Sequence, residues 1–115
     1  GPERRVAAWI GASIVIEGNL TSSEDTSIAG RVEGDVSVRE HTLVVAPGGS
    51  IHGDIVARVV AVHGEVTGSI YATGKLEIGA TGSVEGDIIT PRLVVAEGAT
   101  LTGQVGVGAP APAAV

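Results

Sequence analysis

The side chains of this 115-residue sequence with the best claim to chemistry are three histidines and a spaced series of carboxylates and amides. His41, His52 and His63 raise the question of zinc, which imidazoles bind when several converge on one point. His52 stands just before a glycine, His63 just after an aliphatic pair, and His41 between two aliphatic runs. Those unlike settings keep them from stacking in any regular fold, so surface histidines and no metal site are expected. The second series is Asn19, Asp35, Asp54, Ser69, Asp87 and Gln104, each directly after a glycine. Stacked carboxylates hold Ca²⁺ or exchange a proton in acid–base catalysis. Neutral residues interrupt the acids here, which favours a solvated outer ladder. The calcium-binding nonapeptide, the G-x-S-x-G nucleophile elbow and the phosphate-cradling G-x-x-x-x-G-K-S/T loop do not occur. The expectation is no catalytic residue, no cofactor and no metal. Any polymer of this chain would form without nucleotide hydrolysis.

An internal repeat supplies the frame for these residues. The pattern aliphatic-x-Gly-x-aliphatic recurs as Ile16–Leu20, Val32–Val36, Ile51–Ile55, Val66–Ile70, Val84–Ile88 and Leu101–Val105. Its central glycines, Gly18, Gly34, Gly53, Gly68, Gly86 and Gly103, lie 16, 19, 15, 18 and 17 residues apart, a mean of 17. Self-similarity at such a period marks a solenoid. A second aliphatic pair precedes each of four motifs: Leu43/Val45, Val60/Val62, Leu76/Ile78 and Leu93/Val95. Spacing by two puts both members on one face of a strand. Each winding therefore holds two or three short strands with alternate side chains inward. Pro47-Gly48-Gly49, Ala80-Thr81-Gly82 and Glu97-Gly98-Ala99 form a column of long corners, which Ala29-Gly30 and His63-Gly64 cross two residues faster. The uneven period reads as insertions at that corner over a constant inward register. A winding of 17 residues has a perimeter of roughly 55 Å, and six windings stack to roughly 29 Å.

Composition agrees with so narrow a tube. Hydrophobic residues make up 43% of the chain, yet there is no Phe or Met, one Trp (Trp9) and one Tyr (Tyr71). Val and Ile suit strands, and they fill a space too small for rings. Helical i, i+3, i+4 spacing is absent, and so are the Asn-Gly and Asp-Gly turns of hairpins. The separations also miss the strict hexapeptide beat of solenoid acyltransferases, the enzymatic alternative. With a formal charge of −6 and seven Lys+Arg scattered singly along the chain, no basic stripe and no nucleic-acid partner are expected. Cysteine is absent, which removes disulfides and thiolate metal sites. No apolar run reaches the ~18 residues of a membrane-spanning helix, and a cytoplasmic location is expected.

The ends draw attention because the faces offer no site. A solenoid's terminal windings expose unpaired strand edges and a cut core, which template association unless capped. Trp9, Ile10, Ile14 and Ile16 are the candidate contacts at the N-terminal end, and Leu93, Val95, Leu101 and Val105 at the C-terminal end. The coil is expected over 10–105, between a flexible or capping head (1–9) and a disordered Ala/Pro tail (106–115). A head folded back through Trp9 would instead leave a monomeric binding module.

The runs Ile10–Leu20, Ser27–Val36 and Thr90–Gly103, the last carrying Glu97-Gly98-Ala99 ahead of Gly103, resemble the bactofilins, bacterial polymer-forming cytoskeletal proteins. The resemblance covers about residues 10–105. It implies an all-β, right-handed parallel β-helix of about six windings and triangular cross-section that assembles end to end, without nucleotide, into non-polar filaments. It further implies scaffolding of cell-wall enzymes or membrane proteins that set cell shape, at the inner face of the cytoplasmic membrane. Leu101 stands where the family often has Phe in the last winding. The segment Arg4-Arg5-Val6-Ala7-Ala8-Trp9-Ile10 offers a short counterpart to the longer membrane-contacting tail of family members.

Overall fold

A computed structural model describes residues 8–107. The expected head and tail therefore lie almost wholly outside the described residues. The outermost strands are Ala8–Ile10 and Val105–Val107, so the expected bounds of the coil at 10 and 105 fall within them.

Every ladder is parallel, and each of six windings crosses three faces. The first face stacks Ala8–Ile10, Thr26–Ile28, 43–45, 60–62, 76–78 and Leu93–Val95. The second stacks Val15–Glu17, Arg31–Glu33, Ser50–His52, Glu65–Thr67, Ser83–Glu85 and Thr100–Thr102. The third stacks Leu20–Thr21, 36–38, 55–57, 70–72, Ile88–Thr90 and Val105–Val107. Strands Val36–Val45, Ile55–Val62 and Ile70–Ile78 run round the corner from the third face to the next winding's first, joining those faces into one sheet.

In each of the second to fifth windings five side chains point inward: two from the first face, one from the second and two from the third. In the third winding these are Leu43, Val45, Ile51, Ile55 and Ala57, and in the fourth Val60, Val62, Val66, Ile70 and Ala72, all at most 1% exposed. The two buried polar residues, Thr26 and Thr90, take inward positions beside a corner. Their hydroxyls donate to the carbonyls of Glu24 and Arg92 at 3.0 Å, which offsets their desolvation. The aliphatic pattern thus becomes a dry core one winding at a time.

Corner length explains the uneven period. The corner between the second and third faces has two residues in every winding, Gly18-Asn19 through Gly103-Gln104. The first–second corner has two at Ala29-Gly30 and His63-Gly64 and four elsewhere. The third–first corner varies as well, from two residues at 58–59 and 91–92 to four at 22–25 and 39–42. The sequence reading placed all of the unevenness at the first–second corner. The period of 19 between Gly34 and Gly53 needs the long form of both.

The invariant corner is held by its glycine. Gly34, Gly53, Gly68, Gly86 and Gly103 have φ between 128° and 154°, and a Cβ on any of them would lie 2.0–2.1 Å from the carbonyl oxygen of the glycine one winding below. No flexible side chain is there to yield. Gly18, in the first winding, shares the φ at 127° but would meet nothing within 4 Å. Gly68→Ala should therefore destabilise the fold by well over ~3 kcal/mol, since steric collision adds to backbone strain. Gly18→Ala should cost only the ~1–3 kcal/mol of that strain. Urea denaturation of both variants, followed by circular dichroism, measures the contrast.

Candidate functional site: the two ends of the coil

The polar candidates disperse. His41 occupies the third–first corner of the second winding with Nδ1 3.6 Å from an Asp25 carboxylate oxygen. His52 points outward from the second face, and the His63 ring at the fourth first–second corner lies over Gly79. Among the described residues no group of three His, Asp, Glu or Cys side chains is placed to hold a metal. A notch of about 340 Å³ opens where the short His63-Gly64 corner is sunk between two long ones, lined by Ser50, His63, Glu65, Thr81 and Ser83. No hydrogen bond between side chains links them among the described residues; Thr81 donates instead to the backbone carbonyl of His63 at 2.8 Å. A serine nucleophile needs its base within hydrogen-bond reach, and the notch lacks that arrangement.

The ladder after the corner glycines has a structural use. Asn19 Oδ1 accepts the backbone N–H of Asp35, Asp35 Oδ1 that of Asp54, and Asp54 Oδ1 that of Ser69, at 3.1–3.2 Å. Each side chain caps a corner N–H of the next winding while the main-chain ladder continues round it, as in Leu20 N–H to Asp35 O at 2.8 Å. Sequence reasoning saw a solvated column and missed this bonding, though Asn and Asp are the residues that commonly bond nearby backbone.

At both ends the regular burial breaks. Ile10, Ile16 and Leu20 point inward in the first winding and are half-buried, whereas their counterparts Ile28, Val32 and Val36 are at most 1% exposed. Leu93, Val95, Leu101 and Val105 continue the columns of Leu76, Ile78, Val84 and Ile88. Leu93 and Leu101 are half-buried, and Val95 and Val105 are 44% and 37% exposed. Among the described residues the end strands have a ladder partner on one side only, which leaves their other backbone groups without a described partner.

Two N-terminal candidates sit differently. Trp9 is in register with Ser27 on the outer side of the first face and is 73% exposed, so it does not lie over the first winding. Ile14 occupies the first corner at 44% exposed, with its carbonyl accepting the Arg31 N–H. Leu20 was not among the sequence candidates although its signal was present: it is the second aliphatic of its glycine motif, and that position is buried in every inner winding.

A six-winding parallel β-solenoid whose terminal windings carry half-exposed inward aliphatics among the described residues defines a repeat architecture. Residues 8–106 match the sequence profile of the bactofilins, described as polymer-forming cytoskeletal, and the chain belongs to that family. It is 38% identical over 99 residues to bactofilin BacP of Myxococcus xanthus, covering 86% of this chain and 41% of that protein. It is 42% identical over 96 residues to BacO of the same organism, covering 84% and 75%. The fold also matches a cryo-EM reconstruction of Thermus thermophilus bactofilin double helical filaments, with TM-score 0.82, 29% identity, and coverage of 88% of this chain and 99% of that one.

If the acidic ladder is purely structural, Asp54→Ala should lose about 0.5–1 kcal/mol for one exposed hydrogen bond. Calcium or a chelator should leave the melting temperature of the unaltered chain where it is. Differential scanning calorimetry reads both.

Proposed function

We propose that this chain is a non-catalytic structural protein whose coils stack end to end into filaments without nucleotide. The observation that carries the reading is the confinement of exposed inward side chains to the first and last windings. Stacking buries Ile10, Ile16 and Leu20 at one end and Leu93, Val95, Leu101 and Val105 at the other. Burying each half-exposed Val, Leu or Ile contributes on the order of 1 kcal/mol, and the open strand edges gain partners. Ile14, at the rim, closes the seam. Family membership and the filament of the Thermus relative support the reading.

The larger role follows the family. The filament serves as a scaffold for cell-wall enzymes or membrane proteins at the inner face of the cytoplasmic membrane, with the basic segment Arg4-Arg5 and outward Trp9 as a weak membrane contact. No helix among the described residues is long and apolar enough to cross a membrane. The outward position of Trp9 withholds support from a monomeric module capped by that ring.

Electron microscopy of the pure chain without nucleotide tests the polymer directly. Only monomers at high concentration would sink the reading. Leu101→Arg or Ile16→Arg places an unpaired charge in the junction, where ~3 kcal/mol or more of desolvation raises the critical concentration at least about 100-fold. Trp9→Ala, altering an outward ring, should leave filament formation within about twofold of the unaltered chain. Sedimentation across a concentration series separates these cases.

A further inference from the structure

Four of the chain's seven Lys and Arg residues meet at the third–first corner: Arg39, Arg58, Lys75 and Arg92, one in each of the second to fifth windings. They stand 19, 17 and 17 residues apart, so they look scattered in the chain, and the expectation of no basic stripe is corrected. Two register columns hold them. Val38 pairs with Ala57, which sets Arg39 beside Arg58 at the rim of the third face. Leu76 pairs with Leu93, which sets Lys75 beside Arg92 at the rim of the first face. The line of cations therefore crosses the corner obliquely as it climbs, over three winding spacings or roughly 15 Å.

Like charges side by side in a ladder are destabilising. Among the described residues the ion pairs are Arg31–Glu33 and His41–Asp25, so none of the four cations is matched there. Glu40 and Glu77, within two residues of Arg39 and Lys75, form no ion pair with them among the described residues. Arg39, Arg58 and Arg92 are exposed, and Lys75 is half-buried. Gly74 makes room for the Arg58 stem, since a Cβ there would lie 3.2 Å from the Arg58 Cγ. Glu40, at φ 66°, is the one non-glycine residue with positive φ among the described residues. Backbone strain of that kind gathers at binding sites.

Apolar surface flanks the cations on both sides. Tyr71 and Ile89, 37% and 45% exposed, stand in register on the outward side of the third face. Val94, 42% exposed, lies outward on the first face, and Val59 and Pro91 are half-buried in the corner between. Charge interleaved with apolar area is the anatomy of a protein-binding patch. A phosphate polymer would use the charges alone. The net charge of −6, with Glu24 and Asp25 at the same corner of the first winding, opposes any long polyanion.

We infer that this corner docks a short acidic segment of another protein. Its carboxylates meet Arg39, Arg58, Lys75 and Arg92, and its aliphatic side chains lie on Tyr71, Ile89 and Val94. The inference rests on the scaffold reading above and gives the scaffold's partner a chemistry. Each coil holds a whole site, so docking does not need stacking. A filament repeats the site and multiplies a weak contact.

Fluorescence anisotropy of a labelled peptide of about eight residues, glutamate alternating with leucine and long enough to span the cations, reads the binding. The unaltered chain should bind it saturably at about 0.05 M salt. Binding should weaken at least about tenfold near 1 M, where the screening length is ~3 Å. Glutamine in place of glutamate should also weaken it at least about tenfold, and serine in place of leucine at least about threefold. Arg58→Glu with Arg92→Glu should weaken it at least about tenfold, whereas Arg31→Glu on the second face should stay within about twofold. Equal binding of the glutamine peptide, equal binding by the doubly reversed variant, or a loss as large in Arg31→Glu would overturn the inference. So would no binding up to ~1 mM peptide, or tighter binding of inorganic polyphosphate or phosphatidylserine vesicles through the same arginines. Should the reversed variant fail to fold by circular dichroism, the glutamate and glutamine peptides on the unaltered chain decide. Electron microscopy of the same samples keeps the results apart: filaments that bind no peptide sink the inference and leave the polymer standing.

Discussion

The structure depends on a close approach at one corner. From the second winding onward, the motif glycine's missing Cβ leaves room for the carbonyl oxygen of the glycine below, at 2.0–2.1 Å from where that carbon would sit. Nothing but glycine fits, and the φ of 128–154° excludes other residues independently. A corner so tight admits no insertion without breaking the main-chain bonds that pass through it. It therefore sets the register of each winding on the last, and the other two corners are free to differ in length. Inward side chains keep their columns because the one fixed point recurs six times.

Much of this was legible in the chain. The glycine motifs gave six windings, and aliphatic spacing identified the inward residues because a period of two has a single physical meaning in a strand. The C-terminal candidates Leu93, Val95, Leu101 and Val105 all prove to be inward residues. At the other end the same logic, applied to the motif ending in Leu20, would have found the third inward residue. Trp9 drew attention through size, yet size carries no direction; its alternation with Ile10 puts it outside.

What the sequence hid depends on distances measured around the coil rather than along it. Arg39, Arg58, Lys75 and Arg92, at intervals of 19, 17 and 17, look scattered in the chain. They fall at one corner of successive windings only when each corner's length is known, and corner length has no strong signature in residue type. The Asn and Asp caps were hidden for the same reason: their partners lie 15–19 residues away and one strand spacing up.

The two tolerant corners have an evolutionary consequence. Segments such as Pro47-Gly48-Gly49 and Arg39–Thr42 project beyond the shorter corners of neighbouring windings, and their lengths already vary by up to two residues without disturbing the core. New peptide can accumulate there, and whole windings can be duplicated between glycine corners, each adding ~4.8 Å of length. A lineage can thus lengthen the rod or decorate its flanks, giving variants of different girth and length, while its end surfaces stay unchanged.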